Sequence, residues 1–194
     1  DGDPTLDLEL PAREPGSLRP LTDEEVTLCR FASVASLDET RLPAAWALVE
    51  ATARTAELHQ ITGADVDLAS GRVRLPGAAR VLARWALLPS WGRLQIERRL
   101  RVIGDPTVPL TYTGRGSAPS RQAASCISIS TTFARAGLGD DPDVRPLSVT
   151  AWAGRQILEE CGRIEVVAQR LGNRSLDRTA RLIGFDWDTE SCDC

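Results

Sequence analysis

Residues 51–68 read ATARTAELHQITGADVDL, and the reading of this run decides the fold. It closes a segment, LPAAWALVEATA (42–53), that is apolar nearly all round and carries Pro43 in its first turn. Proline is tolerated there, and a helix without a polar face must lie deep. Arg54 follows at the helix end, with Glu57 and Leu58 one turn on and Asp65 and Asp67 beyond. The period then switches from helical to two: Val73 and Leu75 alternate with Arg72 and Arg74, and LPGAAR (75–80) supplies a turn. A small sheet with a hairpin is predicted. An Arg-x-x-Glu run is open to two readings. Arg54 either salt-bridges Glu57 or a nearby Asp and anchors the helix end, or it is kept for a phosphate.

Outward from this run the chain is mostly helical. LTDEEVTLCRFAS (21–33) opens with Thr22 as N-cap and Glu25 three residues on, a capping box. SWGRLQIERRLRVIG (90–104) predicts a helix with Leu94, Ile96 and Leu100 inside. DPTVPLTYTGRGSAPS (105–120) is an irregular connection with one short strand, and the helix SRQAASCISISTTFARAGLG (120–139) is broken by GDDPDVRP. LSVTAWAGRQILEECG (147–162) buries Val149, Trp152, Ala153 and Ile157. IEVVAQRLGNRSLDRTARLIGF (164–185) gives two short helices around a Leu-Gly-Asn turn. The first buries Ile164, Val167, Ala168 and Leu171; the second sets Leu176, Ala180 and Ile183 on one face and Arg174, Arg178 and Arg181 largely off it. The fold class is α+β, a mostly helical domain with a small antiparallel sheet near its N-terminal third.

Composition narrows the function classes. The chain has 194 residues, 42% hydrophobic and 26% charged, enough for one sizeable core. All 23 basic residues are arginine, so no lysine can donate a proton. The net charge of -4 is segregated: acids dominate residues 1–25 and 186–194, and arginines outnumber acids between them. A basic body keeps a nucleic-acid partner open despite the acidic pI of about 5.1. The expected organisation is an acidic linker or arm over 1–20, a domain over 21–185 and an acidic tail over 186–194. Five scattered cysteines fit a reduced interior, and CDC at 192–194 is too short for a zinc site, so no metal and no cofactor is expected. No run reaches the length of a membrane span. The chain begins at Asp1 and has no methionine, as expected of a piece of a longer protein.

The order of these segments, from about Arg19 to Phe185, resembles the catalytic domain of tyrosine recombinases, the phage-integrase family. Arg54 falls on that family's first catalytic arginine, Glu57 and Leu58 on the Glu-Leu after it, and Asp65 and Asp67 on its Asp pair. Residues 72–89 look like the hairpin that follows, and SISTTFARAGL (128–138) like the helix before the second motif. The resemblance implies a protein that works on duplex DNA. Family members attack a phosphate with a tyrosine, brace it with two arginines and move protons with His or Lys.

Most of that set is missing. Pro146 stands in place of the second motif's first His, Val149 in place of its Arg, and Thr150 beside it; Asn173 replaces the His of the turn, and Leu182 the nucleophile. Only Arg54 remains, vestigially. Tyr112, the sole tyrosine, lies far from the expected place, and His59 is the sole histidine. Without a nucleophile there is no covalent step. The expectation is a catalytically silent DNA-binding protein of the recombinase fold, with Arg54, Arg80, Arg84, Arg145, Arg174 and Arg178 along the backbone, and a cytoplasmic, nucleoid-associated location in a bacterium. One alternative is an assembly module that self-associates through the tail with Trp187 as anchor. Another is a regulator, since residues 166–184 also resemble a helix-turn-helix with Ser175 to Ile183 as recognition helix.

Overall fold

The computed structural model describes residues 18–185 apart from 113 and 115. The tail at 186–194, Trp187 with it, and all but the last three residues of the expected arm lie outside the described residues. Among the described residues are eight α-helices and three strands, in the predicted order apart from the short α3, which the sequence did not predict: α1 (Asp23–Ser33), α2 (Arg41–Glu50), α3 (Thr55–Leu58), β1 (Val66–Asp67), β2 (Arg72–Leu75), β3 (Arg84–Leu87), α4 (Ser90–Ile103), α5 (Ala118–Arg135), α6 (Pro146–Cys161), α7 (Ile164–Leu171) and α8 (Leu176–Ile183). None is long and apolar enough to cross a membrane.

The expected deep helix is the centre of the core. Nine of the ten residues of α2 are buried, and α1, α4, α5 and α6 all pack around it. Trp46, fully buried, meets the edge of Phe133 of α5 at 5.7 Å and 82°. Glu50 is tolerated because Arg30 of α1 closes on it at 2.7 Å, while that guanidinium also stands 5.9 Å over Trp91. The capping box of α1 forms as read: Thr22 Oγ1 accepts from the Glu25 backbone and Glu25 accepts from the Thr22 backbone.

The sheet is antiparallel with β2 in the middle, and Val73 pairs with Ala86. Val73 and Leu75 point inward and Arg72 and Arg74 outward, as the alternation predicted. The hairpin tip docks far away in sequence, where the Leu82 amide donates to the Gly172 carbonyl at 2.9 Å. Gly172, at φ 70°, ends α7 in the left-handed region, and a Cβ there would lie 2.8 Å from that Leu82 carbonyl. Ile157, Val167, Leu171 and Ile183 form a smaller core between α6, α7 and α8. Gly154 makes it possible, since a Cβ on it would stand 2.5 Å from Ile183 and 3.0 Å from Leu171.

Three expectations are corrected. Leu94 is 53% exposed, because α4 turns Gln95, Ile96 and Arg99 to the core instead. Arg99 is accepted there by donating to the Leu110 carbonyl and Thr40. Leu176 is also exposed, and Thr179 takes its place inside, its hydroxyl bonded to the Ser175 carbonyl and to Asn173. Among the described residues, the connection after α4 contains no strand, only an isolated bridge between Thr62 and Pro109.

Candidate nucleic-acid interface

Arg54 is set in place by the chain reversal that ends α2. Thr52 takes φ 72°, a conformation that strains a β-branched residue. The turn is pinned from both sides: the Thr52 hydroxyl donates to the Arg170 carbonyl, and the Thr52 carbonyl accepts from Arg84. Arg54 then becomes the N-cap of α3, its backbone amide donating to Glu57 Oε2 at 2.7 Å.

Glu57 does not pair with the Arg54 side chain. It is fully buried and accepts from Arg84 Nη1 at 2.9 Å, Arg84 Nη2 at 3.2 Å and the Gly77 amide at 2.9 Å, besides the Arg54 amide. Arg84 completes its set with the carbonyls of Arg170, Thr52 and Leu82. All the N–H groups of its guanidinium are therefore committed to acceptors of the protein, and none is left for a phosphate. The structure places Arg84 as the clamp that ties the hairpin to α3 and α7.

Arg54 is left with a different environment. Nη2 donates to Asn173 Oδ1 at 3.1 Å, while Nε and Nη1 are buried without an acceptor among the described residues. No carboxylate of the described residues closes on the guanidinium. Burial first, then the Arg84 and Arg178 charges, outweigh the nearby Glu57 carboxylate and depress its pKa to about 10, so it is still a cation at neutral pH. A buried guanidinium without a counter-charge is costly. Asn173 is turned inward from the α7–α8 turn, its amide donating to Thr179 at 3.0 Å.

The other expected residues divide between this point and elsewhere. Arg178, in the first turn of α8, is exposed and close enough to act on Arg54 electrostatically; Arg174 is exposed on the same turn. Arg80 is exposed in the β2–β3 connection. Arg145 is the N-cap of α6 and shares no hydrogen bond with the Arg54 group among the described residues. Val149 and Thr150 are core residues, Pro146 begins α6, and Leu182 packs against the small core of α6–α8.

Sequence reasoning missed two features. One is the Arg84–Glu57 pair: Arg84 lies on the inward side of β3 while Trp85 and Leu87 are exposed, the reverse of the hydrophobic rule. The other is a pair of unsatisfied atoms, His59 Nδ1 and Arg121 Nε. Burial, and then the Arg121 charge, hold the His59 pKa below its usual value. Their only signal in the sequence was that His59 directly follows the buried Leu58.

No protein-family model matches the chain, and no curated protein matches it in sequence. Solved structures do. The XerA recombinase superposes with a TM-score of 0.71 at 17% identity over 92% of this chain and 64% of its own. The Tn1549 transposon integrase, solved in complex with transposon right end DNA, superposes with a TM-score of 0.62 at 10% identity over 94% of this chain and 65% of its own. The chain thus has the tyrosine recombinase/integrase catalytic-domain fold, the one its motif order resembled. It spans a little under two thirds of the length of either structure.

Proposed function

We propose that the protein binds the backbone of duplex DNA on the surface around Arg54, Arg174 and Arg178 and does not cleave it. One observation carries the reading: two nitrogens of the buried Arg54 cation, Nε and Nη1, have no acceptor among the described residues, and no carboxylate there bonds to it. A phosphate is the group that matches both its charge and its forked donors. The exposed Arg174 and Arg178 beside it extend the positive surface, and Arg80 and Arg145 are more remote contributors. Arg84 contributes by holding the hairpin and α3 in place. Cleavage is absent because Leu182 and Val149, which stand for the nucleophile and the second arginine, offer no nucleophile and no charge. The DNA-bound integrase among the structural neighbours is consistent with this partner.

Affinity for a short duplex measured across a salt series tests the reading. Binding should weaken steeply with salt, and Arg54→Ala combined with Arg178→Ala should abolish most of it. Absence of binding at low salt, or undiminished binding by the double variant, would sink the proposal. A nicked suicide substrate should give no covalent adduct; an adduct would overturn the catalytic half alone. Self-association through residues 186–194 is a separate proposal, motivated by the acidic tail and Trp187. Size exclusion with and without those residues decides it, and a monomer in both cases ends it.

A further inference from the structure

The strand β3 is built the wrong way round for an outer strand in water. It is the edge of the sheet, yet it exposes Trp85 at 59% and Leu87 at 64%. A groove of about 480 Å³ runs beside it, lined by Trp85, Ala86, Leu87 and Leu88 on one side and by Trp152 and Ile157 of α6 on the other. Successive strand residues point to opposite faces. Four consecutive lining residues therefore mean that the groove follows the edge of the strand, not one of its faces.

The backbone of that edge is open. The Leu88 amide donates to the Gly71 carbonyl, and Val73 lies opposite Ala86. In an antiparallel ladder, bonded and non-bonded pairs alternate. Ala86 thus faces β2 with its N–H and C=O, while those of Trp85 and Leu87 point outward, and no partner for them occurs among the described residues. An open edge flanked by exposed apolar side chains is a template for one more strand.

The chain carries a matching sequence outside the described residues. TLDLEL (5–10) alternates Leu6, Leu8 and Leu10 with Asp7 and Glu9, and it is bracketed by Pro4 and Pro11. This is period-two alternation in a segment otherwise read as a linker. The groove is lined mostly by apolar residues, with Arg72 and Arg170 and also Glu50 and Glu160 among its charged members; Glu50 is closed by Arg30. Arg72 makes no salt bridge among the described residues, and Arg170 has only an exposed contact of 3.4 Å with Glu160. Three leucines match the apolar lining, and Arg72 is the cation there that an acid of the run could meet.

The reach is sufficient. The described chain enters beside α6, with the Arg19 amide on the Asp143 carbonyl and the Leu21 amide on the Ser148 carbonyl. Asp23 takes the indole N–H of Trp152, which itself lines the groove. From Ser148 to Gln156 is about 12 Å along a helix. The residues between the leucine run and Leu18 can span about 25 Å when extended.

We infer that residues 5–10 dock into this groove of their own chain as an added strand on the outer edge of β3. The inference does not depend on the DNA reading. It makes the N-terminal arm the piece that closes the sheet and covers Trp85 and Leu87.

Amide hydrogen exchange of the full chain, read residue by residue by NMR, tests it. Trp85 and Leu87 amides should exchange at least tenfold more slowly in the unaltered chain than in the triple variant Leu6→Ser, Leu8→Ser, Leu10→Ser. The Ala86 amide, held by β2, and the amides of α2 should be unchanged, which shows that the triple variant is folded. A second variant, Trp85→Ser with Leu87→Ser, should release protection of residues 6–10. Unprotected Trp85 and Leu87 in the unaltered chain, or protection that survives the triple substitution, overturns the inference. So does protection lost on dilution together with a dimer, which would assign the groove to a second copy. Protection lost on removing residues 186–194 while the triple variant keeps it would assign the groove to the tail and overturn the inference equally.

Discussion

Arg54 and Glu57 are three residues apart and were expected either to pair or to diverge. They diverge, and the consequences are measurable. Among the described residues Glu57 is the sole carboxylate on Arg84, and it is fully buried, so Glu57→Gln leaves a buried cation unpaired. We expect a loss of about 3–5 kcal/mol in denaturant unfolding. Arg54→Met should act in the opposite direction. It removes a buried charge that no carboxylate among the described residues bonds and gives up one hydrogen bond to Asn173. The net expectation is a gain of about 1–2 kcal/mol, accompanied by weaker DNA binding. A residue that costs stability while serving a site is a common compromise. His59 adds a pH dependence. Its folded pKa lies below its unfolded value because burial and Arg121 disfavour the charged ring. Between the two values the unfolded chain binds the extra proton, so stability rises with pH. It is fully present above the unfolded value, near 6.5, and is lost as pH falls from there toward the folded pKa. Midpoints from urea titrations at several pH values should show this, and His59→Gln should remove it.

At the scale of elements, the readable signals were those written in local physics. Thr22 and Glu25 cap α1 as their spacing required, and Thr22→Ala should cost about 1 kcal/mol. The wrong inward residues, Leu94 and Leu176, fail for one reason. A helix's apolar stripe can be rotated by a turn's width when a polar residue finds partners inside, as Arg99 does with Leu110 and Thr40, and Thr179 with Asn173. Thr40 is far from Arg99 in sequence, and Asn173, though only six residues from Thr179, meets it only because the α7–α8 turn folds it inward. Gly154 shows the same limit in reverse. It looks like an ordinary weak point in a helix, yet its missing Cβ is where Ile183 and Leu171 pack. Gly154→Ala, which helix propensity alone would favour, should instead destabilise by about 1–3 kcal/mol through overpacking. Near-ultraviolet circular dichroism with a denaturant series would check it.

Over the whole molecule, the core divides in two. The larger part centres on α2 and reaches from α1 to α6; the smaller joins α6, α7 and α8. The smaller one is tied to the sheet by Leu82 on Gly172 and Arg84 on the Arg170 carbonyl. Native-state hydrogen exchange should therefore find α7 and α8 opening at lower free energy than α2. Opening of that unit also removes Asn173 and Arg178 from Arg54, so conditions that loosen it should weaken the proposed DNA binding before the chain unfolds.

The sequence by itself determined the order of elements, the deep helix, the sheet and its hairpin, and the motif order that resembled a recombinase domain, because each follows from local periodicity, capping or turn chemistry. It also singled out Val149, Asn173 and Leu182 as the places where the resemblance would lead one to expect catalytic groups. Only the tertiary structure decided which arginine is a clamp and which is an unpaired cation. Arg54, Arg84 and Arg178 are the same residue type on an α+β chain. What separates them is whether a carboxylate and carbonyls converge on the guanidinium, and that convergence joins residues 52, 57, 82, 84 and 170, which only the packed fold brings within hydrogen-bond reach.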